Sequence, residues 1–140
     1  MIEDLERIKP EHPRKRLKLV IPHAPSVNLM YRYIRGRKVL TRQAMSYIQA
    51  VQTIAQREVL KQSYQKEKKG VWLVLELRFY FPDKKMRDTH NTHKIIADAL
   101  EGICYENDQF VLVRDIYAKL DRGNPRVECI IYAQPIKEVK

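Results

Sequence analysis

From Trp72 to Phe81 the chain alternates with a period of two, placing Leu73, Leu75, Leu77, Phe79 and Phe81 on one face and Glu76 and Arg78 on the other. That pattern fits a long strand with one face in a core and does not fit a helix. Pro82-Asp83 ends it, because proline brings no N–H to a ladder. Past a polar stretch the period changes. Between Asn91 and Cys104 the apolar residues Ile95, Ile96, Ala99, Leu100 and Ile103 recur at three and four, which predicts a helix over 91–104. The chain must therefore hand a long strand over to a helix across Phe81 to Asn91, and most of its chemically versatile residues sit at that handover.

Other elements follow from the same periodicities. Leu17 to Ile21 is a short apolar strand ended by Pro22 and Pro25, and Arg35-Gly36-Arg37 forms a hairpin tip with Lys38-Val39-Leu40 returning. Thr41 is placed to cap a helix whose stripe is Ala44, Ile48, Val51, Ala55 and Val59, ending near Ser63. Gln109 to Ala118 is a strand, Asp121 to Pro125 a turn, and Arg126 to Ala133 the closing strand. An α+β fold is expected, a mixed sheet with two main helices packed on one face. At 140 residues a single domain suffices. Residues 1–16 are expected to form a charged, loosely ordered leader, 17–134 the domain and 135–140 a tail.

Composition excludes some classes. No apolar run approaches the about 20 residues of a membrane helix, and the acidic opening Met1 to Glu6 gives no signal peptide. Cys104 and Cys129 lack CxxC spacing and are expected to be buried thiols in a reducing, cytoplasmic compartment, with a prophage source as one possibility. The 27 Lys and Arg against 17 Asp and Glu give a net charge of +10, a field that attracts nucleic acid or an anionic surface. Basic runs lie at Arg14–Lys18, at Arg32, Arg35, Arg37, Lys38 and Arg42, and at Lys84, Lys85 and Arg87. Tyr31 and Tyr33, interleaved with the second run, suit base stacking as well as a core or hairpin role.

Against this positive field, Asp88, Asp98 and Asp108 gather at the ends of elements. Asp88 lies in the strand-to-helix loop, and Asn91, Lys94 and Asp98 share the helical face opposite the apolar stripe. Asp88 and Asp108 converge if the strand after Asp108 neighbours Trp72–Phe81. Carboxylates meeting this way hold Mg²⁺, which can activate water and neutralise charge at phosphorus, and Lys94 can assist the departing oxygen. The bland alternatives are a surface Lys94–Asp98 ion pair and turn or cap roles for Asp88 and Asp108. His90 and His93 at i, i+3 are a zinc pair only if a further ligand joins them.

Pro82-Asp83, Arg87-Asp88-x-x-Asn91-x-x-Lys94, Asp98-Ala99-Leu100 and Glu106-Asn107-Asp108-x-x-Val111 together resemble the RusA-type Holliday-junction resolvases. Ile21-Pro22-x-x-Pro25-Ser26-x-Asn28 followed by Tyr31 is similar to the family's entry after its first strand, and the resemblance covers roughly residues 17 to 134. It implies a homodimeric, Mg²⁺-dependent endonuclease (Mn²⁺ an alternative) that resolves four-way DNA junctions by paired nicks in recombination and repair. The resemblance implies catalytic carboxylates at Asp88 and Asp108 and a catalytic lysine at Lys94. DNA contacts are expected from Asn28, Arg32, Arg35, Arg37, Lys38, Lys84, Lys85, Arg87 and Asn91. One position departs: His90 stands where the family carries a second carboxylate. Either Glu106 or Asp98 supplements the site, or His90 acts as ligand or general base, or cutting is weak. The remaining alternatives are a DNA-binding module without competent metal chemistry and a zinc protein built on His90 and His93.

Overall fold

A computed structural model describes residues 8–135; the segments 1–7 and 136–140, which hold the first part of the expected leader and most of the expected tail, lie outside the described residues. Among the described residues, six strands and three helices follow in the order β1 (Arg16–Pro22), α1 (Val27–Met30), β2 (Tyr31–Ile34), β3 (Arg37–Leu40), α2 (Arg42–Lys61), β4 (Leu73–Phe81), α3 (His90–Leu100), β5 (Val111–Leu120) and β6 (Arg126–Ala133). The main sheet is ordered β1-β6-β4-β5. β6 is antiparallel to both β1 and β4, whereas β4 and β5 are parallel. The expected mixed α+β architecture is therefore present.

Alternation on the central strands explains where the core sits. Leu73, Leu75, Leu77 and Phe79 of β4, Leu17, Leu19 and Ile21 of β1, and Val127, Cys129 and Ile131 of β6 are buried together with Ala44, Tyr47, Val51 and Ala55 of α2 and Ile95, Ile96, Ala99 and Leu100 of α3. Both cysteines are free and buried, as expected. Burial raises both thiols, Cys104 to about 12, so neither is a reactive thiolate near neutral pH.

Local chemistry sets the element ends. Thr41 caps α2, its hydroxyl accepting from the Ala44 N–H at 3.1 Å while donating to the Leu29 carbonyl at 2.5 Å. β2 and β3 form a hairpin joined by Arg35 and Gly36, whose φ of 51° and 76° match the two left-handed positions of a type I′ turn. At the other end of α2, the Gln62 amide accepts from the Lys18 N–H at 3.0 Å and donates to the Lys18 carbonyl at 2.8 Å. That side chain completes the free edge of β1 and discourages pairing with another chain. Glu67, buried to 4% exposure, accepts from the Glu11 and His12 N–H groups at 2.7 and 2.6 Å, fixing the part of the leader nearest the sheet.

Two boundaries differ from the sequence expectation. α3 ends at Leu100 and not at Cys104, because Glu101 turns extended and Gly102 takes φ +84°. The Gly102 N–H then donates to the Tyr105 carbonyl at 2.7 Å, reversing the chain. β5 begins at Val111, after a 3-10 turn over Asp108–Phe110 that the Asn107 side chain caps. Tyr105, 1% exposed, donates its hydroxyl to the Ala97 carbonyl at 2.5 Å, satisfying one of the carbonyls orphaned at the end of α3.

Tyr105→Phe should therefore lower stability by about 1–3 kcal/mol, the cost of an unpaired buried polar group. Chemical denaturation should show the loss as a lower midpoint with an unchanged slope. A midpoint equal to the parent's would mean the carbonyl finds another donor.

Candidate metal centre and basic surface

The turn after α3 folds the chain back so that Asp108, leading into β5, meets the exposed face of α3. Lys94 donates to Asp98 at 3.1 Å and lies 4.0 Å from Asp108. Ligand atoms of Asp98, Glu101 and Asp108 all fall within 4.8 Å of one another, the one group of three metal-capable side chains found among the described residues. Asp98 and Glu101 are exposed and Asp108 is partly covered.

Charge crowding shows in the acidity of this group. The Asp108 carboxyl is pushed above the usual carboxylate range, first by its hydrogen-bonding contact with Asp98, then by partial burial, then by the charge of Glu101; Lys94 opposes the shift. Lys94 is held above the usual lysine range, mainly by its hydrogen bond to Asp98. Three carboxylates facing one ammonium leave an excess of negative charge. An all-oxygen donor set that repels itself in this way fits a hard divalent cation.

The other expected site residues lie elsewhere on α3 and its entry loop. Asp88 accepts from the His90 N–H at 3.0 Å and contacts His90 Nδ1 at 3.1 Å, so its carboxylate orders the first turn of α3. Neither Asp88 nor His90 joins the Asp98–Glu101–Asp108 group. Of the two residues weighed as substitutes for the acid missing at position 90, Asp98 belongs to the group, whereas Glu106 pairs with Lys66 at 3.2 Å. Glu101 and Asp115 were not anticipated. Glu101 follows Asp98 by three residues, a spacing that could have disclosed it. Asp115 lies opposite Leu77 where β5 carries one extra residue, Ile116, and it binds His93 Nε2 at 2.7 Å and the Thr89 hydroxyl. The His90 and His93 rings sit 5.0 Å apart, each turned to a different carboxylate.

The basic residues form an open surface. Arg32, Arg35, Arg37 and Lys38 are exposed on the hairpin, and none pairs with a carboxylate among the described residues. Lys38 instead places its ammonium 4.1 Å from the centre of the Tyr31 ring, and Tyr33 is 74% exposed. Lys84 and Lys85 are also exposed, whereas Arg87 is drawn inward, paired with Asp83 at 2.8 Å and resting 4.9 Å from the Phe81 ring. Asn91 is exposed on the first turn of α3. Asn28 lies on α1, and its side chain lies outside the described residues.

Fold and site together define a class, a small α+β domain that sets a self-repelling acidic group beside a lysine and an unpaired basic hairpin. The endodeoxyribonuclease RusA family model matches residues 21–132, and the chain belongs to that family. Membership makes the protein one of a family of nucleases that act on Holliday junctions. No curated protein matches the chain. No helix among the described residues is long and apolar enough to cross a membrane.

The raised Asp108 carboxyl has a definite consequence for stability. A carboxyl raised in the folded state stabilises below its unfolded value and loses that contribution as pH rises through the folded value. In EDTA, Asp108→Asn should thus be more stable than the parent at pH 7, and the difference should vanish below about pH 4, near the ordinary carboxylate range. Thermal melts at the two pH values measure this. A less stable variant at pH 7 would mean that attraction to Lys94 outweighs the crowding.

Proposed function

We propose that this protein is a divalent-metal-dependent endonuclease that cuts four-way DNA junctions in symmetric pairs of nicks, acting in recombination and repair as a homodimer. The observation that carries the reading is the placement of Lys94 between Asp98 and Asp108 within one acidic group. Asp98, Glu101 and Asp108 would hold the cation, with Mg²⁺ favoured by the all-oxygen set and Mn²⁺ an acceptable substitute. When bound, such an ion supplies a nucleophilic water at neutral pH and counters charge on the phosphoryl oxygens.

The chain's own residues supply the rest. Lys94 stays protonated through its bond to Asp98 and can donate to a phosphate oxygen as charge develops there. Asp98 holds that ammonium in place and adds the negative charge that His90 does not. Asp88, just before the start of α3, is proposed as the second catalytic carboxylate on the family pattern, with His90 bound to it. The hairpin cations and Lys84, Lys85 and Asn91 would contact the phosphate backbone, where affinity comes from released counterions. Two opposed nicks in a two-fold junction need two sites related by a two-fold axis, hence a C2 dimer. The engagement of Asp88 by His90 favours a second reading, a junction-binding module with little catalysis.

Cleavage of synthetic four-way, flap and linear duplex DNA with Mg²⁺ or Mn²⁺ separates the two. The nuclease should give paired nicks on the four-way junction and leave linear duplex intact; binding without nicking under either metal would establish the module instead. Lys94→Ala should slow cutting by about 10²–10³-fold, the usual effect of removing a donor to transition-state charge, with junction affinity nearly unchanged. Equal rates would remove Lys94 from the chemistry.

The hairpin makes a separate prediction. Neutralising Arg35, Arg37 and Lys38 together should reduce the slope of log affinity against log salt by about 2–3, close to one unit for each phosphate that the variant no longer neutralises. Filter binding or anisotropy at several salt concentrations measures it. An unchanged slope would show that this hairpin does not touch DNA.

A further inference from the structure

Beside Asp88, the end of β1, the start of α2 and the loop after β4 line a cleft of about 680 Å³. That lies within the range of about 300–1,000 Å³ found for small-ligand sites. Flat groups make one part of its wall, with Pro25, Leu29 and Met86 among the rest. Phe79 and Phe81 stack at 5.7 Å with 27° between their rings, and His23 meets Phe81 edge-on at 5.7 Å. Arg87, tied to Asp83, adds a flat guanidinium 4.9 Å from Phe81. Burial and the nearby Arg87 charge lower the His23 imidazole below its ordinary value, against a smaller opposing effect of Asp83, so at neutral pH the ring offers both a donor and an acceptor. Gln43 is exposed at the start of α2, on the rim.

Resting on the junction-nuclease reading, we infer that this cleft receives a single unstacked nucleobase from the junction strand whose phosphate passes Asp88, and that it sets the sequence preference of the cut. The occupant follows from the surroundings. Phe79 is buried at 1% exposure, so the flat groups that can meet a base face are the partly exposed Phe81 ring and the Arg87 guanidinium beside it. Neutral His23 and the Gln43 amide can address a base edge, which carries both donors and acceptors. Lys85, exposed at the same cleft, suits the phosphate attached to that base. Bases at the crossover of a four-way junction are the ones most easily taken out of the stack, since extrusion costs least where pairing is already disturbed.

The test uses the full chain and junctions carrying 2-aminopurine at one position at a time around the crossover, bound in EDTA so that nothing is cut. A several-fold rise in fluorescence is expected at one position per contacted strand. Arg87→Lys, which keeps the charge but not the plane, and Gln43→Phe, which narrows the mouth from an exposed position, should each abolish most of that rise while melting like the parent. Flat fluorescence at every position in a bound junction, or a rise that survives both variants, overturns the inference and leaves the nuclease reading intact. Failure to bind four-way junctions in preference to linear duplex overturns both.

Discussion

The parallel pairing of β4 with β5 is the constraint on which the rest of the structure depends. Two parallel neighbours cannot be joined by a hairpin, so the chain must travel back along the sheet before β5 can start. α3 is that return. Its Ile95, Ile96, Ala99 and Leu100 stripe is buried in the core shared by α2 and the sheet, which leaves Asn91, Lys94 and Asp98 on the outside. The chain then enters β5 beside the end of α3, and Asp108, just before the strand, is delivered to Lys94 and Asp98. Site and fold are thus one geometric solution. The reversal at Gly102 and the Tyr105–Ala97 hydrogen bond fix its last few ångströms.

A cost accompanies this placement. Like charges gathered at partial burial raise the Asp108 carboxyl, and a domain that keeps such a group at neutral pH holds less stability than one without it. The large buried core on the opposite side of α3 offsets the loss, and a bound divalent cation would reverse it by mass action. The basic hairpin follows the same separation of roles. Its turn is set by the two positive φ values at Arg35 and Gly36, and its cations make no internal ion pairs among the described residues, so its charge stays available to a polyanion.

Much of this was legible in the residues. The period-two run of β4, the Thr41 cap, the Arg35-Gly36 turn and the apolar stripe of α3 are local signals, and each produced the element expected of it. Lys94 and Asp98 were placed on one face by helical spacing alone, and the resemblance in the central motif agrees with the family match. What could not be read is long-range. Nothing in β5 announces that it joins β4 in parallel at the sheet edge, nor that the extra residue Ile116 sets Asp115 against His93 and Thr89. The helix was expected to reach Cys104, a length that also puts Glu101 one turn beyond Asp98 on the same face, so this neighbour was legible from spacing. Asp88 drew attention through its motif. The structure gives its carboxylate a local duty, ordering the start of α3 with His90, while a separate acidic group forms further along the same helix.

The proposed cation site is the group of Asp98, Glu101 and Asp108. Paramagnetic broadening by substoichiometric Mn²⁺ in amide NMR spectra tests it most directly. Signals from Asp98 to Gly102 and from Asn107 to Gln109 should vanish first, with those of Asp88 to Asn91 following only at higher metal. Broadening that begins at Asp88 to Asn91 and spares Glu101 and Asp108 would contradict it.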